Sequence, residues 1–600
     1  MMVLEALDLL LTRFNKTDRK NQLITYAYDG LNRLAQKSYP DTTTVNYTYD
    51  LDSRLTQVTD PTGTYQFTFD NMGRLTSATT SYTFLTARNF TTGYSYDAAS
   101  NRTGFTDPEN GSTAYVYDTL NRLQTLTPPS AFSGTGSFGF GYDALNRRTQ
   151  MTRPNNVVTN YAYDNLSHLQ SVLHQLSGST IDGATYTLDN AGNRTAKTDQ
   201  HAGVTSNYGY DAIYELTGVT QGTNTTESYT YDPVGNRLSS LGVSPYSVNV
   251  SNQLTSTPST SYTYDYNGNT ITSVTGSNTT QYFWDFENRL KSVTLPGSGG
   301  TVTFKYDPFG RRIYKSSSTG TSIYAYDGDN LIEETNASGA VVARYSQGLT
   351  IDEPLAMLRS STTSYYEADG LGSLTSLSNT AGVLAQTYTY DSFGNTTNSS
   401  GSLTNFFRYT GRDFDTETML YFMRARYFDP ATGRFISEDP LRFPGGIDFY
   451  TYAANSPTNL NDPFGFEPQG CTDCQGRPTQ GADAGKKCCG NESPMSSAGT
   501  PPYPDSYRYM GVSANDMFKN GGNGSWGNIV RGCLVCMYKH GVDASTAHSF
   551  CYKNGRQRTS PWNTFTGYVA AVSEAFFWSV GNASSTAGNG LNPNPGYVGP

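Results

Sequence analysis

One feature constrains this chain above all others: an aromatic-x-aromatic-Asp unit that returns about every twenty residues over most of its length. Tyr26-Ala-Tyr28-Asp29-Gly-Leu-Asn-Arg33-Leu34 recurs as Tyr47-Thr-Tyr49-Asp50-Leu-Asp-Ser-Arg54-Leu55 and as Phe67-Thr-Phe69-Asp70-Asn-Met-Gly-Arg74-Leu75. Further copies include Tyr115-Val-Tyr117-Asp118, Tyr161-Ala-Tyr163-Asp164, Tyr208-Gly-Tyr210-Asp211, Tyr229-Thr-Tyr231-Asp232, Tyr282-Phe-Trp284-Asp285, Phe304-Lys-Tyr306-Asp307, Tyr324-Ala-Tyr326-Asp327 and Tyr388-Thr-Tyr390-Asp391. Alternating aromatics place both rings on one face of a strand. The Asp opens a turn, where its carboxylate accepts backbone N–H bonds, and Gly or Asn supplies the positive φ. Arg-Leu then starts the return strand, with the Arg in reach of the Asp across the turn. A hairpin of this kind cannot bury its aromatic face alone, so neighbours must stack into a continuous sheet.

The unit therefore predicts an all-β fold of many short strands. The composition agrees: Tyr 46 and Gly 59 are high and charged residues are only 15%, a pattern of strands and turns rather than of disorder. The same hairpins would also serve a β-propeller or a flat solenoid, although propeller blades repeat near about forty residues. A net charge of −10 argues against general nucleic-acid binding, which uses a basic stripe. No apolar run reaches the length of a transmembrane helix. Met1 to Leu11 lacks a basic n-region and is broken by Glu5 and Asp8, unlike a secretory signal.

The repeat closely resembles the YD repeat of Rhs proteins, of the C component of insecticidal toxin complexes, and of teneurins. The resemblance implies hairpins that wind spirally into a long sheet forming a shell, here in part or in whole. Residues 1–22 then read as a lead-in and 23–365 as the repeats. Residues 366–466 resemble the Rhs repeat-associated core, on Tyr366-Glu-Ala-Asp369-Gly-Leu-Gly372-Ser373, Phe407-Arg-Tyr409-Thr-Gly411-Arg412 and Tyr421-Phe-Met-Arg-Ala-Arg426-Tyr427-Phe428-Asp429-Pro430. Gly433-Arg434-Phe435-Ile436-Ser437-Glu438-Asp439-Pro440, Tyr450-Thr-Tyr452-Ala-Ala-Asn455-Ser-Pro457 and Asp462-Pro463-Phe464-Gly465-Phe466 complete it.

That core implies a single-turnover aspartyl autoprotease cutting between Phe466 and Glu467, with Asp439 and Asp462 as the acting pair and Arg426 assisting. The residue types suit the chemistry. Two carboxylates held close cannot both ionise, so one keeps a proton while the other acts as base. A guanidinium is always charged and can steady an oxyanion. Phe466 stands where the family usually has Leu. Each residue also has a plainer reading: Asp-Pro is an ordinary turn opener and Arg426 an ordinary cross-strand residue. Asp429-Pro430 and the repeat aspartates read as turns.

All seven cysteines lie beyond residue 470, which marks a change of domain. Residues 467–510 read as a Cys-, Gly- and Pro-rich linker, 511–582 as a small, partly helical passenger, and 583–600 as a disordered tail. Cys533, Cys536, His540, His548 and Cys551 have the types for a zinc site, but disulfides of an exported domain suit the spacings better. No other cofactor is implied. Residues 467–600 together hold ten Lys and Arg against eight Asp and Glu, no nucleic-acid signature, and nothing in them assigns an activity.

The leading expectation is thus a polymorphic-toxin-type protein, secreted or at the cell surface, whose shell encloses and releases a C-terminal cargo. An immunity protein or delivery machinery would be its partners. The second reading is an uncut surface or wall-associated protein that binds carbohydrate or another protein. The N-terminus reads as incomplete, since a repeat begins within a few dozen residues of Met1.

Overall fold

The computed structural model describes residues 13–132, 136–441 and 448–466. They form antiparallel sheets in which each strand pairs with its neighbour in sequence. A 21-stranded sheet runs from Arg13–Thr17 to Arg237–Ser240, a 16-stranded sheet from Ser247–Val248 to Thr396–Gly401, and a 4-stranded sheet covers Asp413–Phe435. The sheets cut across the sequence divisions in two places. The first strand, Arg13–Thr17, lies inside the lead-in and pairs with Leu23–Tyr28. The start of the core, through Thr396–Gly401, still belongs to the second repeat sheet, because Tyr366-Glu-Ala-Asp369 and Tyr388-Thr-Tyr390-Asp391 are themselves hairpin units.

The repeat motif is fully accounted for by its hydrogen bonds. In the first copy, Asp29 Oδ1 accepts from the N–H groups of Leu31 and Arg33, each at 2.9 Å, while Asp29 Oδ2 takes the Arg33 Nε at 2.7 Å. Asn32 supplies the left-handed residue at φ 58°, a conformation that Asn and Gly tolerate best. The Arg then reaches forward. Arg33 Nη1 donates to the Asp50 carbonyl in the next turn at 3.0 Å, and the guanidinium lies 4.8 Å from the Tyr49 ring centre. The Tyr49 hydroxyl donates back to the Leu34 carbonyl at 3.0 Å. Arg122 with Asp143 and Tyr142, and Arg289 with Asp307 and Tyr306, repeat the arrangement. Each Arg thus ties one turn to the next. Arg122→Ala is expected to cost about 1–2 kcal/mol, read as a lower urea midpoint, since the partly exposed ion pair adds little beyond its ring contact and the two hydrogen bonds from Nη1 to the Asp143 carbonyl and the Asn146 side chain.

The second sheet follows the first in the same chain direction. Lys37 Nζ meets Glu287 at 2.7 Å, Arg153 Nη2 donates to the Tyr366 carbonyl at 2.8 Å, and Lys197 Nζ meets Asp369 at 2.7 Å. The end of the first sheet away from its aromatic-x-aromatic-Asp turns faces those turns of the second: Lys20 pairs with Asp265, and Phe309 packs edge-on against Tyr65. These are two successive laps of one winding chain, joined along a seam. The position two residues after the turn Asp shows the difference between them. It is exposed at Leu31, Met72, Leu120 and Ile213 in the first lap, yet in the second lap Glu287 and Phe393 seat on Tyr39 and Tyr229 of the first.

The small sheet closes on both laps. Its strand Leu420–Met423 is buried on both faces, which is why it reads as an unbroken apolar run. Tyr421, Met423 and Phe428 share a core with Leu216, Val219 and Tyr229 of the first lap. Leu420, Phe422 and Tyr427 pack with Leu290, Val293 and Phe304 of the second. Buried Arg312 of the second lap pairs with Asp415 at 2.5 Å. Among the described residues no helix is long and apolar enough to cross a membrane.

Candidate cleavage centre

The small sheet carries a two-residue turn, Arg424-Ala425, between the paired residues Met423 and Arg426. Against this tip lies the segment Pro463–Phe466, and the tip takes its four carbonyls in order. Arg424 Nη1 donates to Pro463, the Ala425 N–H to Phe464 at 3.1 Å, Arg426 Nε to Gly465 at 2.6 Å, and Arg426 Nη2 to Phe466 at 3.4 Å. A side chain on Gly465 has no room. Its backbone sits at φ 71°, and a Cβ would stand 2.4 Å from the Met423 carbonyl oxygen.

Both aspartates meet the same guanidinium nitrogen. Arg426 Nη2 is 3.1 Å from Asp462 Oδ2 and 3.4 Å from Asp439 Oδ2. Arg426 Nη1 donates to the Phe449 carbonyl at 3.0 Å, and the guanidinium carbon rests 3.5 Å from the centre of the Phe435 ring. Asp439 is fixed by its own backbone, with its N–H on the Phe449 carbonyl at 2.9 Å and its Oδ1 accepting from Leu441 N at 2.7 Å. Asp462 Oδ1 accepts from the Phe466 N–H at 3.0 Å. All three side chains are buried. Burial pushes the Asp462 carboxyl up to about 7, against the pull of Arg426 and the Phe466 N–H, and the neighbouring Asp439 adds to the rise. A carboxyl held near neutrality beside a second carboxylate is the pattern expected of an acid–base pair.

The sequence-derived trio of Arg426, Asp439 and Asp462 is therefore brought together, and the Phe466 carbonyl lies on the same guanidinium. Glu467, Cys533, Cys536, His540, His548, Cys551, the linker, the passenger and the tail lie outside the described residues. Asp429 and Pro430 form a turn as expected, with Asp429 Oδ1 accepting from Ala431 N at 2.9 Å. Sequence reasoning missed Arg424 and Gly465, although the Arg-Ala-Arg pair and the Gly of Asp-Pro-Phe-Gly were in view.

Comparison with known proteins decides the family. The teneurin YD-shell family model matches residues 11–181 and 193–458. The chain belongs to the teneurin YD-shell family. Curated relatives of this YD-shell chain include a tRNA3(Ser)-specific nuclease WapA of Bacillus spizizenii, 33% identical over 273 residues, 43% of this chain and 12% of that protein. Another is the double-stranded DNA deaminase toxin A of Burkholderia cenocepacia, 27% identical over 40% of this chain and 19% of that one. The chain thus spans less than a fifth of the length of either relative. Among solved structures, TcdB2-TccC3 matches with a TM-score of 0.62 at 17% identity, over 76% of this chain and 27% of that one. The Photorhabdus luminescens Tc holotoxin pore matches with a TM-score of 0.63 over 78% of this chain and 27% of that chain. The YD-shell architecture, with its long antiparallel sheets of hairpins, is common to all of these structures.

Proposed function

We propose that this YD-shell protein is of the polymorphic-toxin type and cuts itself once, after Phe466, to free its C-terminal segment. The observation that carries the reading is one guanidinium nitrogen shared by the Asp439 carboxylate, the Asp462 carboxyl and the Phe466 carbonyl. In the proposed step Asp439 takes a proton from a water molecule, and the oxygen attacks the Phe466 carbonyl carbon. Arg426 stabilises the oxyanion that forms. Asp462 gives its proton to the Glu467 nitrogen as the C–N bond breaks, leaving a carboxyl group on Phe466 and a free amine on Glu467. Tethering beside the pair replaces substrate binding. The toxin names of the relatives support a harmful cargo, and the shared shell fold supports export to a cell surface or target, with an immunity protein and delivery machinery as partners.

The test is the intact mass of the purified full-length chain, together with growth of cells expressing residues 467–600. Two fragments meeting at Phe466–Glu467 and arrested growth are expected. One uncut chain and a harmless tail would favour the surface-interaction reading. The pH dependence follows from Asp462 as acid. Its proton occupancy falls as pH rises through about 7, so the cleavage rate should drop towards tenfold per pH unit above that point. Gel time courses after dilution from denaturant into buffers of increasing pH check this; a rate still climbing at pH 9 would remove Asp462 from the role.

A further inference from the structure

Arg424 is out of place for its backbone. It opens a two-residue turn at φ 57°, where Gly or Asn is favoured and a long side chain is strained. A residue that conflicts with its local conformation marks a place where the side chain is needed for something else. Here the guanidinium does two things. It binds the Pro463 carbonyl and lies 5.2 Å from the Phe464 ring centre, gripping the loop just before the scissile residue. It also forms a bidentate pair with Asp352, at 2.9 Å from Nη1 to Oδ2 and 2.8 Å from Nη2 to Oδ1. Asp352 stands in the second lap, between the paired strands Val341–Gln347 and Pro354–Arg359. Arg412, which also donates to the Phe422 carbonyl, shares the Asp352 Oδ1 oxygen with Arg424.

On the reading that the chain cuts itself, we propose that Arg424 is a positioning residue for that reaction, locking the scissile segment to Asp352 of the second lap. Its work is to set where the Pro463–Phe466 carbonyls lie, so the Phe466 carbonyl reaches Arg426 only when the second lap has docked. Cleavage is thereby made conditional on a completed seam between the core and the shell, and a half-folded chain is not cut early.

The experiment follows cleavage of the full-length chain during cell-free synthesis for wild type, Arg424→Asn, Arg424→Lys, Asp352→Asn and Asp462→Asn. Arg424→Asn suits the turn and leaves Arg412 on Asp352, so the variant should still fold, with a urea midpoint no lower than that of Asp352→Asn, which strips both arginines of their partner. Cleavage of Arg424→Asn should nonetheless be slowed about 10²-fold, the effect of a misplaced reacting group, with an unchanged pH profile. Arg424→Lys, which keeps the charge without the fork, should recover only part of the rate, and Asp352→Asn should slow it as well. Wild-type cleavage rates in Arg424→Asn and Asp352→Asn would overturn the inference, and so would a slowed Arg424→Asn with a displaced pH profile, since that makes Arg424 part of the acid–base pair. An uncut wild type, matching Asp462→Asn, would instead strike down the self-cleavage reading on which this one rests.

Discussion

Asp462→Asn is expected to leave the chain in one piece, with cleavage slowed by about 10³-fold, within the range that a positioned acid or base contributes. The amide keeps the shape of the carboxyl and its contact with the Phe466 N–H, but it has no proton to give to the leaving nitrogen. Asp439→Asn should do the same by removing the base. Loss of cleavage through misfolding is separated by the sign of the stability change. The Asp462 carboxyl is raised to about 7, so the folded state favours its neutral form. The stability tied to that proton is fully present below the ordinary carboxylate range and is lost as pH rises through about 7. At pH 8 wild type has lost that contribution, while an Asn is neutral at every pH. Asp462→Asn should therefore be at least as resistant to urea at pH 8 as the wild type, yet uncut. An Asn variant that is both uncut and markedly weaker would point to a structural role. A variant cut at the wild-type rate would leave the pair without a function.

Much of this fold was legible because its determinants are local. The Asp-led turn, the left-handed Asn or Gly and the Asp–Arg pair all lie within a few residues, and Asp29, Asn32 and Arg33 behave as their types require. The seam was not legible for the opposite reason. Leu31 and Phe393 occupy the same place in the same motif, but the first is exposed and the second is 1% exposed against Tyr229. Only the winding of the chain distinguishes them. The first hairpins of the core obey the repeat and join its sheet, so the motif division and the sheet division differ there. At the site, Arg426, Asp439 and Asp462 were found through motif resemblance, and their types suited the chemistry. Asp352 had no signal at all: it lies 72 residues before Arg424, in a loop that reads as an ordinary turn. The ordered grip on four carbonyls was equally hidden, since one donor is the Ala425 N–H and three are arginine side-chain nitrogens, whose partners no spacing announces.

Phe428→Ala is expected to cost about 3–5 kcal/mol, the usual penalty for emptying a large, closed site. Phe428 is 0% exposed, and its ring lies among those of Tyr421, Phe435 and Tyr452 at 6.4, 5.9 and 4.2 Å. These aromatics come from the small sheet and the segment after it, and they share their core with Leu216 and Val219 of the first lap. The rings cannot all move to fill the hole, because Tyr421 is tied to the Gly394 carbonyl at 2.9 Å and Phe435 lies under the Arg426 guanidinium. That second tie makes the prediction reach the site. Phe428 lies on the strand that begins with Arg426, so loosening it frees both the guanidinium and its aromatic support. The urea midpoint should fall, and self-cleavage should slow in the same variant, while Phe428→Leu, which refills most of the volume, should lose far less of either. If Phe428→Ala unfolded at the wild-type midpoint, the small sheet would not be held by this core. If it unfolded early but cut at the full rate, the grip on Pro463–Phe466 would not depend on the packing beneath Arg426.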